Sequence, residues 1–325
     1  MAELPRPPGN VAVAPGGRVF FTWHPEAEPT EHLAELLPDG SWRPYPDAAW
    51  QSEREDGPYW VTPLGVRVDS RGWLWVLDHG DYGSETPTLT AFDLANDQLV
   101  QRFEFPGDVA NWGSMLNDLA VDGERGFVYV ADTSPFDFDP ALIVYDVQAR
   151  AAWRKLEDHD SVEPEDQHLV VQGRFMKAFG LPLELAVDSI ALSPDGETLI
   201  YGPLSGGQLY QVPTAALRDR DADAEAQVRV LGPKPITDGI TTGPDGTTYL
   251  TAIEHDGIAA LDPAGTLTWL VQDPARIRWP DGLAVSPDGA WLYMTCSQLH
   301  DVIGMDLDEL ADHGPFRILR LPLGD

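Results

Sequence analysis

The chain has 325 residues, with 53 acidic against 21 basic side chains and a formal net charge of -32 at pH 7. Such an excess of negative charge repels the phosphates of nucleic acids and anionic membrane surfaces, so we expect neither as a partner. No apolar run approaches the length of a transmembrane helix, and the single cysteine, Cys296, leaves no internal disulfide. Residues 1–5 lack the basic and apolar regions of a signal peptide, so we expect a cytoplasmic protein.

The predicted elements begin after a proline-rich segment, residues 1–8, which we expect to be a loose N-terminal tail. From there one pattern recurs: a strand of alternating apolar residues, a tight turn rich in Pro, Asp and Gly, and a second strand. The inner strands of the six copies begin, in chain order, at Gly9, Leu64, Asn117, Asp188, Asp238 and Asp281. Two further strands follow each copy, so the sequence predicts six repeats of roughly 50 residues.

A ring of six such repeats is an all-β fold, the six-bladed β-propeller with four antiparallel strands in each blade. We therefore expect residues 9–325 to form a single propeller domain. In the last repeat, the apolar pattern predicts the two outer strands at residues 302–307 and 316–321.

The connection between the third and fourth repeats is longer than the others. The interval between the turn glycines Gly123 and Gly196 exceeds the next interval by roughly 20 residues, which indicates an insertion at residues 157–185. Long connections often serve as lids or binding loops, and this one ends at the channel mouth where the inner strands begin. A lid and a plain surface insertion both fit the sequence, and only the lid predicts packing over that mouth.

The first residues of the inner strands form a ring, because every inner strand of a propeller begins at the same end of the channel. Four successive members of this ring are Asn117, Asp188, Asp238 and Asp281. Carboxylates gathered at one axis repel one another, so either their pKa values rise or a cation binds among them. Oxygen ligands favour Ca²⁺ first and Mg²⁺ second. The alternative is that the aspartates are turn devices that accept backbone N–H groups, which the following Gly239 and Gly282 favour.

A second set of polar side chains lies at the ends of the second strands, which return to the same mouth. The set includes His24, His79, Asp132, Glu254, His255 and His300. Histidine and carboxylate are the usual proton donors and acceptors near neutral pH. We predict Asp238 or Asp281 as the catalytic base, with His255 or His300 assisting. The predicted substrate contacts are His24, His79, Asp132, Glu254, Trp112 and Trp279, although packing between blades also explains the two tryptophans.

Several runs between Leu116 and Asp219 are distinctive when they are taken together. They are Asn117-Asp118-Leu119 with Tyr129-Val130-Ala131-Asp132-Thr133-Ser134, Leu142-Ile143-Val144-Tyr145-Asp146 with Trp153-Arg154, Asp188-Ser189-Ile190-Ala191-Leu192-Ser193-Pro194-Asp195-Gly196, and Tyr201-Gly202-Pro203-Leu204. With them the chain resembles the major royal jelly protein/yellow family. The resemblance implies a six-bladed propeller with a ligand pocket at one mouth, and functions that range from dopachrome conversion to the binding of small amines.

A more distant resemblance is to the senescence marker protein/gluconolactonase group, which is also six-bladed. It implies a divalent metal at the channel mouth, held by one Glu, two Asn and one Asp from different blades, that orients and polarises a lactone. Asn117, Asp188 and Asp238 fall where the second, third and fourth ligands are expected, and Gly9 occupies the place of the glutamate.

The leading hypothesis is a metal-assisted enzyme that acts on a small organic molecule, as a lactonase-like hydrolase or a tautomerase. The metal would act as a Lewis acid on a carbonyl oxygen. The alternative is a non-catalytic propeller that binds a small molecule at the same mouth. A third hypothesis, a protein-interaction propeller, requires an exposed apolar patch on one face.

Overall fold

The structure, a computed structural model, describes residues 2–178, 180–303, 310 and 312–324. Its strands are β1 (Ala2–Leu4), β2 (Pro8–Val13), β3 (Val19–Trp23), β4 (Leu33–Leu36), β5 (Trp42–Pro44), β6 (Pro63–Val68), β7 (Trp73–Asp78), β8 (Thr88–Asp93), β9 (Gln98–Glu104), β10 (Leu116–Asp122), β11 (Phe127–Asp132), β12 (Ala141–Asp146), β13 (Ala151–Lys155), β14 (Val170–Val171), β15 (Arg174–Phe175), β16 (Lys177–Ala178), β17 (Leu181–Pro182), β18 (Val187–Leu192), β19 (Thr198–Pro203), β20 (Gln208–Pro213), β21 (Arg229–Pro233), β22 (Ile240–Thr242), β23 (Thr248–Ala252), β24 (Gly257–Leu261), β25 (Leu267–Gln272), β26 (Pro280–Val285), β27 (Trp291–Cys296) and β28 (Phe316–Pro322). Helical segments of the described residues are α1 (Gly80–Gly83), α2 (Thr214–Arg218) and the 3₁₀ turns Pro25–Ala27, Ala48–Gln51, Glu225–Gln227, Ile253–His255 and Leu299–Asp301. None of these helices is long and apolar enough to cross a membrane.

The described residues form six four-stranded antiparallel sheets and, within the 157–185 insertion, the two-stranded sheets β14-β15 and β16-β17. The four-stranded sheets are blade 1 (β2-β3-β4-β5), blade 2 (β6-β7-β8-β9), blade 3 (β10-β11-β12-β13), blade 4 (β18-β19-β20-β21), blade 5 (β22-β23-β24-β25) and blade 6 (β26-β27-β28-β1). The inner strands contact one another in the cyclic order β2, β6, β10, β18, β22, β26 and back to β2. This closed ring is a six-bladed β-propeller, which confirms the fold that the sequence predicts.

The inner strands begin close to their predicted positions. Five of them start one residue earlier than predicted, whereas β22 starts at Ile240, two residues after Asp238. The agreement has a local cause: each turn residue that reverses the chain, such as Gly196 (φ 69°) or Gly246 (φ 83°), has a backbone conformation that glycine adopts without strain. The turns therefore fix where each hairpin begins and ends.

Blade 6 is built from both ends of the chain, and this corrects two predictions. Of the segment predicted as a loose tail, the described residues 2–8 are not loose, because Ala2 and Leu4 pair with Ile318 and Phe316, which makes β1 the outermost strand of blade 6. The segment predicted as the fourth strand, at residues 316–321, is therefore the third. The strand predicted at 302–307 falls partly outside the described residues, and Val302 lies in a turn.

The reason for the corrected closure is burial. Ala2 and Leu4 are 5% and 1% exposed and share an apolar cluster with Phe316 and Ile318, while Glu3 between them faces the solvent. This alternation satisfies the period of a strand, but three residues are too few to show that period against a proline-rich background.

The core is divided among the contacts between neighbouring blades. A separate apolar cluster fills each of the six blade-to-blade interfaces. A further cluster lies at one mouth of the channel and combines residues of blades 1, 4, 5 and 6 with residues of the 157–185 insertion. The insertion is therefore packed by the same hydrophobic burial that holds the blades together.

Candidate active site

The 157–185 insertion, here called the lid, lies across the mouth at which the inner strands begin. Its buried apolar side chains Leu169, Val171, Met176 and Leu183 share one cluster with residues of four blades, including Trp279. The Trp279 indole donates its Nε1–H to Asp238 Oδ2 at 2.8 Å. The lid therefore packs over the same mouth as Asp238, which is the placement that the lid interpretation requires.

Polar contacts tie the lid to blades 5 and 6. The backbone N–H of Val170 donates to Glu254 Oε1 at 2.7 Å, and the Gln172 amide donates to the Asp256 carboxylate at 3.1 Å. The Arg174 guanidinium donates to the carbonyl of His300. The predicted substrate contact Glu254 is thus a lid contact in this closed arrangement.

Met176→Glu is expected to open the lid, because Met176 is only 2% exposed and the new carboxylate would face apolar side chains. Each loss of about 1.4 kcal/mol of closing free energy raises the open population about tenfold. Hydrogen exchange of the Trp279 indole N–H should accelerate by about tenfold or more. Phe175→Glu is the matched control, because Phe175 is 38% exposed. Equal exchange rates in the two variants would contradict the closed lid.

The structure brings together beneath the lid the four residues that the sequence predicts as a ring. Asn117, Asp188 and Asp281 are buried and Asp238 is only partly exposed. The Asn117 amide donates to Asp188 Oδ2 at 2.5 Å. No backbone N–H of the described residues donates to the carboxylates of Asp188, Asp238 or Asp281, so a turn role does not explain them.

The pKa values of the three ring aspartates lie above the ordinary range, first of all because of burial. Burial raises the pKa of Asp238 to about 7. Burial and the neighbouring carboxylate of Asp238 raise the pKa values of Asp188 and Asp281 well above 3.8. The Oδ2 atom of Asp281 is buried and has no hydrogen-bond partner among the described residues. The ring therefore holds more acceptor oxygen than this part of the protein satisfies.

The donor set fits a hard divalent cation, although the present side-chain positions do not surround one. An amide and three carboxylates are oxygen ligands of the kind that Ca²⁺ and Mg²⁺ prefer, and the unpartnered Asp281 oxygen is free to bind. The described residues contain one trio of acidic or histidine ligand atoms within 4.8 Å of one another, Asp166, His168 and Glu184, which is exposed on the lid. Joint binding by the three ring aspartates therefore requires rotation of their side chains toward the axis.

Sequence reasoning missed an ion pair between blades 2 and 3, whose arginine also reaches across the channel. Arg67 of blade 2 contacts Asp118 Oδ2 at 2.6 Å and Asn10 Oδ1 at 2.9 Å, and it reaches the carbonyl of Ile240 in the opposite blade at 3.4 Å. The Asn10 amide also donates to Asp118 Oδ1 at 2.9 Å. An arginine inside the apolar inner strand Pro63–Val68 was the available signal. These contacts engage both carboxylate oxygens of Asp118, so Asp188, Asp238 and Asp281 remain as the carboxylates open to a ligand.

Lys234 was also missed. It is 6% exposed, and its ammonium group donates to the carbonyls of Leu204 at 3.2 Å and Pro235 at 3.3 Å. Burial lowers its pKa to about 7, although the nearby Asp188 carboxylate raises it. Its position four residues before Asp238, in a chain with only three lysines, was the available signal.

Of the predicted polar residues, some lie at this mouth and others do not. His24 Nε2 lies 3.7 Å from Asp281 Oδ2, and His300 stacks on Trp279, the residue whose indole N–H donates to Asp238. His255 is exposed and packs on Trp269 of the outermost strand β25, so the structure does not bring it to the ring.

The remaining predicted substrate contacts, Asp132, Trp112 and His79, differ in their surroundings. Asp132 is buried and accepts hydrogen bonds from Ser114, the backbone of Met115 and Arg154, so its oxygens are already engaged. Trp112 is 66% exposed on the surface. His79 is buried at the end of β7.

Solved structures with the same fold include enzymes and binding proteins. A gluconolactonase from Xanthomonas campestris aligns with a TM-score of 0.58 and 16% identity over 90% of this chain and 84% of its own. The calcium-binding protein regucalcin from Agrobacterium tumefaciens aligns with a TM-score of 0.58 and 15% identity over 98% of this chain and 92% of its own. At this identity the likeness shows the fold.

The relatives found by sequence are yellow and royal jelly proteins, a different group from the solved structures above. Protein yellow of Drosophila melanogaster is 28% identical over 283 residues, or 81% of this chain and 46% of that protein. Major royal jelly protein 3 of Apis mellifera is 28% identical over 235 residues, or 68% of this chain and 41% of that protein. The chain thus spans less than half the length of these relatives. The family model of the major royal jelly protein matches residues 61–325, most of the chain. The chain therefore belongs to the major royal jelly protein family.

Proposed function

We propose that the protein is a metal-assisted enzyme that acts on a small organic molecule beneath the lid, as a lactonase-like hydrolase or a tautomerase. The observation that carries this proposal is the ring of Asn117, Asp188, Asp238 and Asp281 beneath the lid, with raised aspartate pKa values and an unpartnered Asp281 oxygen. Fold neighbours described as a gluconolactonase and as calcium-binding lend support.

In this proposal the four ring residues would hold Ca²⁺ or Mg²⁺. When bound, such a cation supplies Lewis-acid polarisation of a carbonyl oxygen. Asp238 or Asp281 would be the general base, because either ring carboxylate lies beside the proposed cation and can take a proton from a molecule that the cation polarises. The Trp279 N–H holds one Asp238 oxygen and leaves the other to accept a proton from water or from carbon. The lid excludes bulk water from this proton transfer.

The test is turnover of a panel of small lactones and enolisable ketones with Ca²⁺, with Mg²⁺ and with a chelator. The expected result is metal-dependent turnover that falls about 10²–10⁴-fold in Asp238→Asn, the typical contribution of a general base. Asp245→Asn is the control, since Asp245 belongs to an exposed turn where it contacts Thr247. Binding of these molecules without turnover in any metal would instead support the non-catalytic binding propeller.

A further inference from the structure

Three buried histidines lie on one side of the mouth, opposite most of the acidic ring. They follow the second strands of three successive blades: His300 in blade 6, His24 in blade 1 and His79 in blade 2. The ring residues Asn117, Asp188 and Asp238 lie in or beside blades 3, 4 and 5. We call the three histidines the histidine arc. The imidazoles thus lie on one side of the mouth and most of the ring on the other, while Asp281 of blade 6 lies on the imidazole side beside His24.

Local hydrogen bonds determine which imidazole nitrogen carries the proton. His24 Nδ1 accepts the backbone N–H of Glu26 at 3.2 Å, and His79 Nδ1 accepts the backbone N–H of Tyr82 at 3.0 Å. A nitrogen that accepts a hydrogen bond carries no proton, so the proton of both rings is on Nε2. The tautomer of both residues thus follows from the turn that comes after each strand.

His300 has the opposite tautomer for the same reason. Its Nε2 lies 2.9 Å from Nη2 of Arg278, and a guanidinium can only donate, so Nε2 accepts and Nδ1 carries the proton. Each residue of the histidine arc is therefore a neutral ring with one N–H group left for another partner.

Those N–H groups lack acceptors. His79 Nε2 and His300 Nδ1 are buried and have no hydrogen-bond partner among the described residues. His24 Nε2 has Asp281 Oδ2 nearby, but 3.7 Å exceeds a hydrogen bond, and that oxygen also has no partner. Buried polar groups in folded proteins are normally paired, so unpaired donors gathered at one mouth indicate a missing acceptor.

Side-chain contacts hold the arc in position. The Tyr82 hydroxyl donates to the Glu26 carboxylate, which ties the turn after His79 to the turn after His24. His300 stacks on Trp279 with ring centroids 6.3 Å apart and planes 8° apart. The donors are thus preorganised, which lowers the entropy lost on binding.

We propose that the histidine arc is the subsite for an oxygen acceptor of the ligand, a carbonyl, carboxylate or phenolate oxygen, which its imidazole N–H groups bind. The inference rests on the proposed function only in that the ligand enters this mouth. An ammonium group is a poor occupant of the arc, since it would place donors against donors. A ligand therefore presents its oxygen to blades 6, 1 and 2, and a positive charge or a bound cation faces the carboxylates.

The first test measures the tautomers by ¹⁵N NMR of protein labelled at its eight histidines, in the presence of a chelator. His24 and His79 should be neutral with the proton on Nε2, and His300 neutral with the proton on Nδ1. Charged rings at neutral pH, or the reverse tautomers, would overturn the subsite. This measurement requires no variant for its interpretation and no catalytic activity.

The second test compares two probes of similar size, acetophenone and benzylammonium, in the same chelated sample. Acetophenone should shift the N–H resonances of the arc, and benzylammonium should leave them in place. His79→Leu should weaken acetophenone binding about fivefold or more, as expected for the loss of one buried hydrogen bond of about 1 kcal/mol. His79→Gln, which keeps an N–H donor, should restore part of it.

His159→Gln is the matched control. The backbone N–H of Ser161 donates to His159 Nδ1, as the backbone N–H of Tyr82 does to His79 Nδ1, but His159 lies outside the arc. Shifts of the arc by benzylammonium, or no response to acetophenone, would overturn the proposal. Because the probes are measured without metal and without turnover, failure of the metal-assisted reaction would leave this result standing.

Discussion

Asp238→Asn is expected to stabilise the metal-free protein at pH 8 and to weaken its stabilisation by Ca²⁺. The folded protein raises the pKa of Asp238 from 3.8 to about 7, so between those pH values it keeps a proton that the unfolded chain releases. The stabilisation from that proton is complete below pH 3.8 and is lost as pH rises through 7. Asparagine does not ionise. The free energy of unfolding of the variant therefore rises relative to that of the aspartate protein across this pH window, by up to the order of 4 kcal/mol.

The same substitution is expected to reduce the stabilisation that a bound cation provides. A ligand at about 100 times its Kd stabilises the folded state by about 2.7 kcal/mol, and the loss of one carboxylate ligand reduces this. Denaturant unfolding at pH 4 to 8, with Ca²⁺ and with chelator, measures both effects. Asp245→Asn should change neither. Melting temperatures that are the same with Ca²⁺, Mg²⁺ and chelator would rule out the metal.

Arg67→Leu is expected to lower the free energy of unfolding by about 3–5 kcal/mol, because it leaves the buried Asp118 carboxylate without its counter-ion. The double variant Arg67→Leu/Asp118→Asn should recover much of that loss, since the remaining side chain is neutral. The control is Arg102→Leu, which breaks the more exposed Arg102–Glu104 pair and should cost no more than about 1 kcal/mol. Equal losses for the Arg67 and Arg102 variants would contradict the importance of the Arg67–Asp118 pair.

The acidic ring could be predicted because its position depends on strand starts. Asn117 and Asp188 occur one residue inside β10 and β18, so recognition of the hairpin also placed the side chain. The partners of this ring could not be predicted in the same way. Arg67 meets Asp118 and the carbonyl of Ile240 from separate blades, and no short-range pattern joins those residues.

The histidines show the same division. Their arrival at one mouth was predictable for His24 and His300 from the alternation of strand direction, and wrong for His255, which a 3₁₀ turn carries to Trp269. The tautomers depend on three donors: the backbone N–H groups of Glu26 and Tyr82, which lie in turns after the strands, and the Arg278 guanidinium.

The sequence by itself determined the number of blades and the limits of most strands, because turn glycines and alternating apolar residues act over a few neighbouring positions. It also determined which residues begin the inner strands. Only the tertiary structure decided that Ala2–Leu4 closes blade 6 and that the lid covers the mouth, because both depend on apolar surface buried against distant segments. Tertiary structure likewise decided the protonation of the ring, since burial, which no single segment provides, raises the pKa of each aspartate.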